Sequence, residues 1–309
     1  MSTTSIRAGT IWAITSYFNP AGYQRRLANF GQFRARLAVP LVAVELTNGP
    51  GFELKQGDAD ILVQIRSRDV MWQKERLLNL ALQSLPDGCK NVVALDCDVI
   101  FGTDDWPERV TEALRRSVIL QPYGLIFDLP RDWASHAGLP AGLRRRQSVT
   151  SAVASGVPFS ACLGEFAPNG AFKYSRGIAW AARRELLDQY RFYDTRILGG
   201  GDRAFAGAVY GYFDAMRHSG DPLYLNWAVP FHKAIGSRVG AMDGDVYHLW
   251  HGELENRNYH NRMKILDRFA FDATKDIALA ENGCWRWNSA KPELHERVRS
   301  YFASRREDG

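Results

Sequence analysis

Two shortages narrow the field before any motif is read. The 309 residues hold four cysteines, Cys89, Cys97, Cys162 and Cys284. None stands in a C-x-x-C pair or at zinc-site spacing. That excludes a disulfide-stapled secreted scaffold and a structural zinc module. With Cys97 between two acids, it predicts free thiols in a reducing compartment. Long apolar runs are missing as well. The stretch within MSTTSIRAGTIWAITSYFNP is too brief to cross a membrane and lacks the layout of a signal peptide. The expectation is a cytoplasmic chain, with peripheral contact at the inner membrane face as the alternative.

Internal repeats and a basic tail are absent too. The net charge is +5, but the excess is spread along the chain, and its densest run is Arg144-Arg145-Arg146. No recognised nucleic-acid motif accompanies it, so no nucleic-acid partner is expected. The run reads as solvated surface, with contact to an anionic glycan or lipid head group as the alternative. Hydrophobic residues at 46% against charged residues at 24% exclude a disordered chain and allow a large buried core.

What is present alternates between strand and helix. Residues 10–15 (TIWAIT), 40–46 (PLVAVEL), 60–65 (DILVQI) and 91–101 (NVVALDCDVIF) read as strands. Asn19 reads as the cap, and Pro20 as the first residue, of a helix running to about residue 37. Leu77, Leu78, Leu80, Ala81 and Leu85 form an apolar stripe on a helix over 72–85. This alternation predicts an α/β fold with a mainly parallel sheet covered by helices, its ligands lying beyond the carboxyl ends of the strands. Further on, the pattern predicts a helix over 106–116, a strand at SVILQPY, and an inserted loop region over 130–168. A strand over 173–180, a helix over 183–190 and a glycine turn over 198–202 that opens a helix follow. The chain then reads as a strand at DVYHLWHG, a helix near 255–269 and a basic amphipathic helix over 292–304.

Three places carry chemistry. Asp96 and Asp98, at i and i+2, point the same way from a strand end. There they can share one hard divalent cation that keeps open positions for diphosphate oxygens. In the turn Gly199-Gly200-Gly201-Asp202 the glycines let backbone approach a ligand. Asp202 then either caps the helix or takes the proton from an acceptor hydroxyl as general base. His248 and His251, with His260 beyond, offer imidazole to a Mn2+-type ion. A strand-like HLWH turns them to opposite faces. One alone then reaches the cation, with His248 the first choice and His251 its rival.

The order and spacing of WQKERLLNLALQSLPDGCKNVVALDCDVIF, GIAWAARRELL, FYDTRILGGGDRAFAGAVYG and HLWHG, across residues 11–262, resembles GT-A glycosyltransferases. The pattern is closest to the β-1,4-galactosyltransferase and polypeptide N-acetylgalactosaminyltransferase group and to bacterial family 2-like relatives. The resemblance implies a GT-A (Rossmann-like) domain over 1–270, with a small acceptor-side subregion. Its nucleotide-binding half would be 1–101 and its donor-sugar and acceptor half 102–270, followed by a helical extension over 271–309. It implies a UDP-sugar donor, a glycan or other hydroxyl acceptor, Mn2+ or Mg2+, and inversion with Asp202 as base. In the nucleotide pocket, Tyr17 or Phe18 would stack on the base and Glu45 would accept from uracil or ribose. Arg68, Lys74 and Arg76 would neutralise phosphates, with Asn79 on the same helix and Asp96 at the strand end. Gly177, Gly200, Gly201 and Arg203 would line the sugar. Gly201 stands where the pattern has the first acid of a pair, which leaves donor sugar and acceptor open. The alternatives are a retaining GT-A enzyme, a metal-dependent nucleotidyltransferase and a non-enzymatic carbohydrate-binding module. SYFNPAGYQRR is a poor version of the glycine-rich, basic segment that a nucleotidyltransferase would carry.

Overall fold

NVVAL is apolar at nearly every position, so it is satisfied only inside a sheet covered on both faces. It forms β4 (Asn91–Leu95), with β1 (Ile11–Phe18) parallel beside it. β2 (Leu41–Thr47) and β3 (Ile61–Arg66) continue the parallel run outward. β10 (Ala179–Arg183) is antiparallel on the other side of β4, followed by β6 (Ile119–Leu120) and β11 (Val239–Gly240), giving the order β11-β6-β10-β4-β1-β2-β3. The computed structural model describes residues 10–133, 139–164, 173–213, 223–259 and 261–309. It shows an α/β fold whose largely parallel central sheet is flanked by helices.

Helices cover both faces because each turns a helical-period apolar stripe inward. On one face lie α2 (Lys74–Gln83), α6 (Arg184–Tyr190), α7 (Gly201–Val209) and α8 (Tyr224–Ile235). Their Leu77, Leu187, Phe205 and Phe231 pack on Ile14, Val42 and Val92. On the other lie α1 (Gln24–Ala35) and α3 (Trp106–Ala113), which bury Phe30, Phe33 and Trp106 against Ala13, Leu41 and Val93. No helix among the described residues is long and apolar enough to cross a membrane. The four cysteines are free thiols.

Several segments depart from expectation. β1 runs on to Phe18, because Tyr17 and Phe18 still pair with Glu45 and Leu46 of β2. Asn19 closes a turn, accepting from Tyr23 N–H at 2.9 Å, and α1 starts only at Gln24. The first amides of α1, on Gln24 and Arg25, are instead capped by the Asp308 carboxylate at 3.2 and 2.8 Å. The strand expected over 91–101 breaks at Asp96-Cys97-Asp98. β5 (Val99–Phe101) then enters a second sheet with β12 (Asp245–His248), β7 (Leu125–Asp128), β8 (Arg144–Ser148) and β9 (Tyr174–Ser175), in the order β5-β12-β7-β8-β9. The described part of the 130–168 region is not merely loop. It holds β8 (Arg144–Ser148), α4 (Val149–Ala154) and α5 (Phe159–Gly164). Because β8 is a strand, Arg145 alone of its three arginines is exposed. Arg144 and Arg146 turn to Asp128 at the end of β7 (Leu125–Asp128), at 3.5 and 2.8 Å. β9 (Tyr174–Ser175) and β12 (Asp245–His248) complete that sheet. α8 had no expected counterpart. Its Pro230 reads as a breaker, yet Tyr224, Ala228, Phe231 and Ile235 keep one face buried.

The chain ends by folding back on the first strand. α9 (Arg262–Arg268), α10 (Ala273–Asp276), the hairpin β13 (Ile277–Leu279) and β14 (Trp285–Trp287), and α11 (Pro292–Ser304) build a third apolar cluster. Phe302 packs edge-on against Phe18 and stacks on Trp72. The Tyr23 hydroxyl donates to Phe302 C=O and Ala303 C=O.

Candidate active site

A cavity of about 570 Å³ opens beyond the carboxyl ends of β1 and β4, where a parallel sheet leaves room for a ligand. Asp96, Asp98, Asp202, His248 and His251 all reach it, with Gly177, Gly200, Gly201 and Arg203. These residues come from segments more than 150 positions apart, and the fold unites them.

Asp98 and the two histidines form one cluster. The turn after β4 aims Asp98 at the end of β12, and its Oδ2 lies 3.2 Å from His251 Nε2. His248 Nε2 lies 3.1 Å from His251 Nε2 and 3.8 Å from Asp98 Oδ1. The expectation was that one histidine alone would reach a cation; both imidazoles in fact lie beside Asp98. β12 stops at His248, so strand alternation no longer governs His251. His248 Nδ1 meets Asp128 Oδ1 at 3.0 Å, which sets the tautomer and turns the Nε2 lone pair inward. Burial, and then Arg257, push the His251 imidazole down to about 4, so it is neutral at pH 7. For Asp98, burial favours the neutral acid. His251, His248, Arg26 and Arg257 outweigh it and hold the carboxyl below the usual range.

This donor set fits a divalent cation. Two imidazoles and a carboxylate bring three ligand atoms within 4.8 Å of one another. Asp98 Oδ1 is buried with no hydrogen-bond partner. Donors roughly 2.1 Å from a cation and at right angles to each other stand about 3 Å apart, close to the separations at His251. Without a cation the only donor described at the His251 Nε2 lone pair is Arg257 Nη2, at 3.0 Å. Asp96 is not part of this cluster. With strand geometry lost at residue 96, it turns away to Lys74, whose Nζ lies 2.5 Å from Asp96 and 3.1 Å from Asp202. Burial raises Asp96 to about 6, with Lys74 opposing the rise.

Asp202 is seated by two close approaches. Gly200, at φ 91°, closes the turn into α7 in the left-handed region. A Cβ on Gly177 would overlap the Asp202 carboxyl. Gly200, not Asp202, is the N-cap of α7; Asp202 lies in the helix's first turn and pairs with Lys74. Beside it Gly201 opens α7 against the buried Glu75 carboxyl, which burial raises to about 7. Ile178, next along from Gly177, has φ 73°. A β-branched residue there stores of order 1–3 kcal/mol, and Asp96 N–H holds it by donating to Ile178 C=O at 2.8 Å.

Five residues expected in a nucleotide pocket lie elsewhere. Tyr17 is 1% exposed, donates to Glu53 and packs edge-on against Phe30. Glu45 accepts from the Glu53 and Leu54 amides and from Gln64. Arg76 serves Gly283 C=O and Asp194. Arg68 is exposed and away from the cavity. Asn79 donates to Phe192 C=O and Asp194 and accepts from Phe192 N–H, all at 2.8–2.9 Å. The polar groups of Tyr17, Glu45, Arg76 and Asn79 satisfy buried or half-buried neighbours inside the protein. Asn79→Ala is expected to lower stability by about 2–3 kcal/mol in urea unfolding, leaving ligand affinity of the folded protein unchanged. His260 lies outside the described residues. Phe18 and Lys74 do line the cavity.

Lys74 and Arg203 aside, the cations that line it were not among the expected site residues. Arg26, Arg146, Arg257, Arg262 and Arg305 come from four distant segments. Arg257 and Arg262 have no carboxylate partner among the described residues. They face the Tyr259 phenol, where burial favours the neutral form but the arginines outweigh it and lower its pKa. Arg146 falls in the basic run of residues 144–146, but no motif marks the other four in the sequence.

Fold and site together define an α/β protein with a cation-competent cluster and an arginine-rich cavity at the sheet's carboxyl edge. No protein-family model matches the chain, and no curated protein matches it. Among solved structures it is similar to S. aureus TarS with UDP-GlcNAc, at 14% identity and TM-score 0.41, over 78% of this chain and 58% of that one. The chain thus spans less than two thirds of that relative. Glucosyl-3-phosphoglycerate synthase from Mycobacterium tuberculosis gives 15%, 0.40, 78% and 71%. A mannosyltransferase from Pyrobaculum calidifontis with GDP-Man and Mn2+ gives 13%, 0.40, 95% and 70%. These likenesses do not single out the β-1,4-galactosyltransferase and N-acetylgalactosaminyltransferase group. Scores this low decide no chemistry, which rests on the residues of this chain.

Proposed function

We propose that this protein is a divalent-cation-dependent glycosyltransferase. It moves a sugar from a nucleoside-diphosphate sugar, a UDP-sugar in the simplest reading, to an acceptor hydroxyl. The observation that carries the reading is the convergence of Asp98, His248 and His251 with arginines and the Asp202 carboxylate on one cavity. Mn2+ suits two imidazoles and a carboxylate better than Mg2+ does. When bound, the cation would neutralise charge on the departing diphosphate.

The chain's own groups divide the remaining work. Arg257, Arg262, Arg305 and Arg26 favour phosphate oxygens at the cluster. Phe18 and Trp72 offer apolar faces to a nucleobase. Asp202 takes the acceptor proton, and Lys74 fixes its carboxylate in place by bridging it to Asp96. The donor sugar lies between, against Gly177 and Gly200. With its proton taken by Asp202, the acceptor oxygen would bond to the anomeric carbon as the bond to the diphosphate breaks on the opposite side, a single displacement that inverts configuration.

The test is release of UDP from a panel of UDP-sugars with Mn2+, alone and with hydroxyl acceptors. Metal-dependent UDP release, and an inverted product by NMR, support the reading. Pyrophosphate release from a nucleoside triphosphate would favour a nucleotidyltransferase, and sugar binding indifferent to UDP and metal would favour a binding module. Gly177→Ala is expected to slow transfer roughly 100-fold by displacing Asp202, with nucleotide affinity retained, as single-turnover assays would show.

A further inference from the structure

Each imidazole of the cluster has a carboxylate behind it. Asp128 stands 3.0 Å from His248 Nδ1, a hydrogen bond, whereas Glu307 stands 3.9 Å from His251 Nδ1 and acts on it as a buried charge without a hydrogen bond. Asp128 lies on β7, which pairs with β12 and so is placed by the same sheet as His248. Glu307 arrives from the segment after α11. Its side chain is 1% exposed and ion pairs with Arg26 at 2.6 Å and Arg305 at 2.5 Å, and Arg26 Nη2 donates to it at 2.9 Å. Both arginines line the cavity, whereas Glu307 sits behind them. Burial would raise its pKa, but Arg26, Arg305 and His251 hold it well below the usual carboxylate range. Desolvating a carboxylate this fully is costly unless its partners are held by it.

We infer that Glu307 is a positioning residue for the cation-and-phosphate wall, turning His251, Arg26 and Arg305 toward the cavity. The inference rests on the cation-dependent reading proposed above. Without the Glu307 carboxylate, Arg26 and Arg305 repel each other, and His251 Nδ1 loses the anionic group that polarises the ring. Partners behind a ligating histidine typically contribute 10–100-fold to metal affinity.

The same segment also clasps α11 to α1. Arg306 N–H donates to the Tyr23 hydroxyl, and Asp308 caps α1. A bare stability role therefore has to be separated from positioning, and Asp308→Ala provides the control. It opens the clasp without touching Glu307, Arg26 or Arg305.

The experiment measures Mn2+ affinity by EPR of the free ion, UDP affinity at saturating Mn2+, and melting temperature. It uses the full chain as wild type, Glu307→Gln, Glu307→Asp and Asp308→Ala. Glu307→Gln is expected to weaken Mn2+ binding about 10-fold or more and to weaken UDP binding with it. Glu307→Asp, which keeps the charge with a shorter reach, recovers part of the loss. Asp308→Ala melts lower but binds Mn2+ as wild type does. Should the glutamine variant not fold, the aspartate variant carries the comparison, with a roughly 3- to 10-fold loss expected. Wild-type affinity in the Glu307 variants, or an equal loss in Asp308→Ala, overturns the inference alone. A wild-type chain that binds no Mn2+ overturns the site reading and this inference together.

Discussion

Asp98→Asn is expected to lower Mn2+-dependent UDP affinity by at least about 100-fold, near 2.7 kcal/mol, and to make the remainder indifferent to EDTA. The substitution keeps the side chain's shape and removes the charge that both imidazoles and Arg26 and Arg257 surround. An amide oxygen can still ligate a hard cation, but without the carboxylate's charge it holds the ion more weakly. Without it, His248 and His251 hold the ion through two nitrogens only. Residual UDP binding would come from the arginines and would fall as salt rises, because screening weakens charge pairs that water can reach. Calorimetric titration of UDP with Mn2+ and with EDTA checks this. Unchanged affinity in the variant would remove Asp98 from the site.

Asp202→Asn is expected to separate binding from turnover. Transfer should fall by about 10²–10⁴-fold, the usual contribution of a positioned base, with UDP affinity within roughly threefold of wild type. The separation follows from position. Asp202 lines the same cavity as the cation cluster but is no member of it, and its charge contact among the described residues is Lys74 at 3.1 Å. The amide keeps an oxygen for Lys74 and cannot accept the acceptor's proton. Stopped-flow single turnover isolates the chemical step. Loss of UDP affinity and turnover by the same factor would mark Asp202 as a binding group and would cancel its assignment as base.

Periodicity was decisive where one face of an element is apolar. PLVAVEL, DILVQI and the helix Pro292–Ser304 lie within a residue of where their patterns place them. The acids after β4 were legible as a strand end, because VVAL demands burial and DCD refuses it. Their divergence was not, since a turn cancels the rule that i and i+2 share a face. The same failure hid the second histidine, which β12 releases after His248. Tyr17, Glu45 and Asn79 were misread for another reason. A polar residue that satisfies buried backbone looks, in one dimension, like one waiting for a ligand. The arginines of the cavity were illegible because Arg26, Arg146, Arg257 and Arg305 become neighbours only through the sheet crossings and the return of α11 to β1.

The proposed function requires one cation shared between Asp98, His248, His251 and a diphosphate in this cavity. EPR of Mn2+ bound to the protein tests it directly, using UDP enriched with 17O on its β-phosphate. Broadening of the Mn2+ lines on adding enriched UDP, absent with unenriched UDP and absent in Asp98→Asn, is the expected result. A Mn2+ spectrum that UDP leaves unchanged, with UDP bound as tightly in EDTA, would contradict the account.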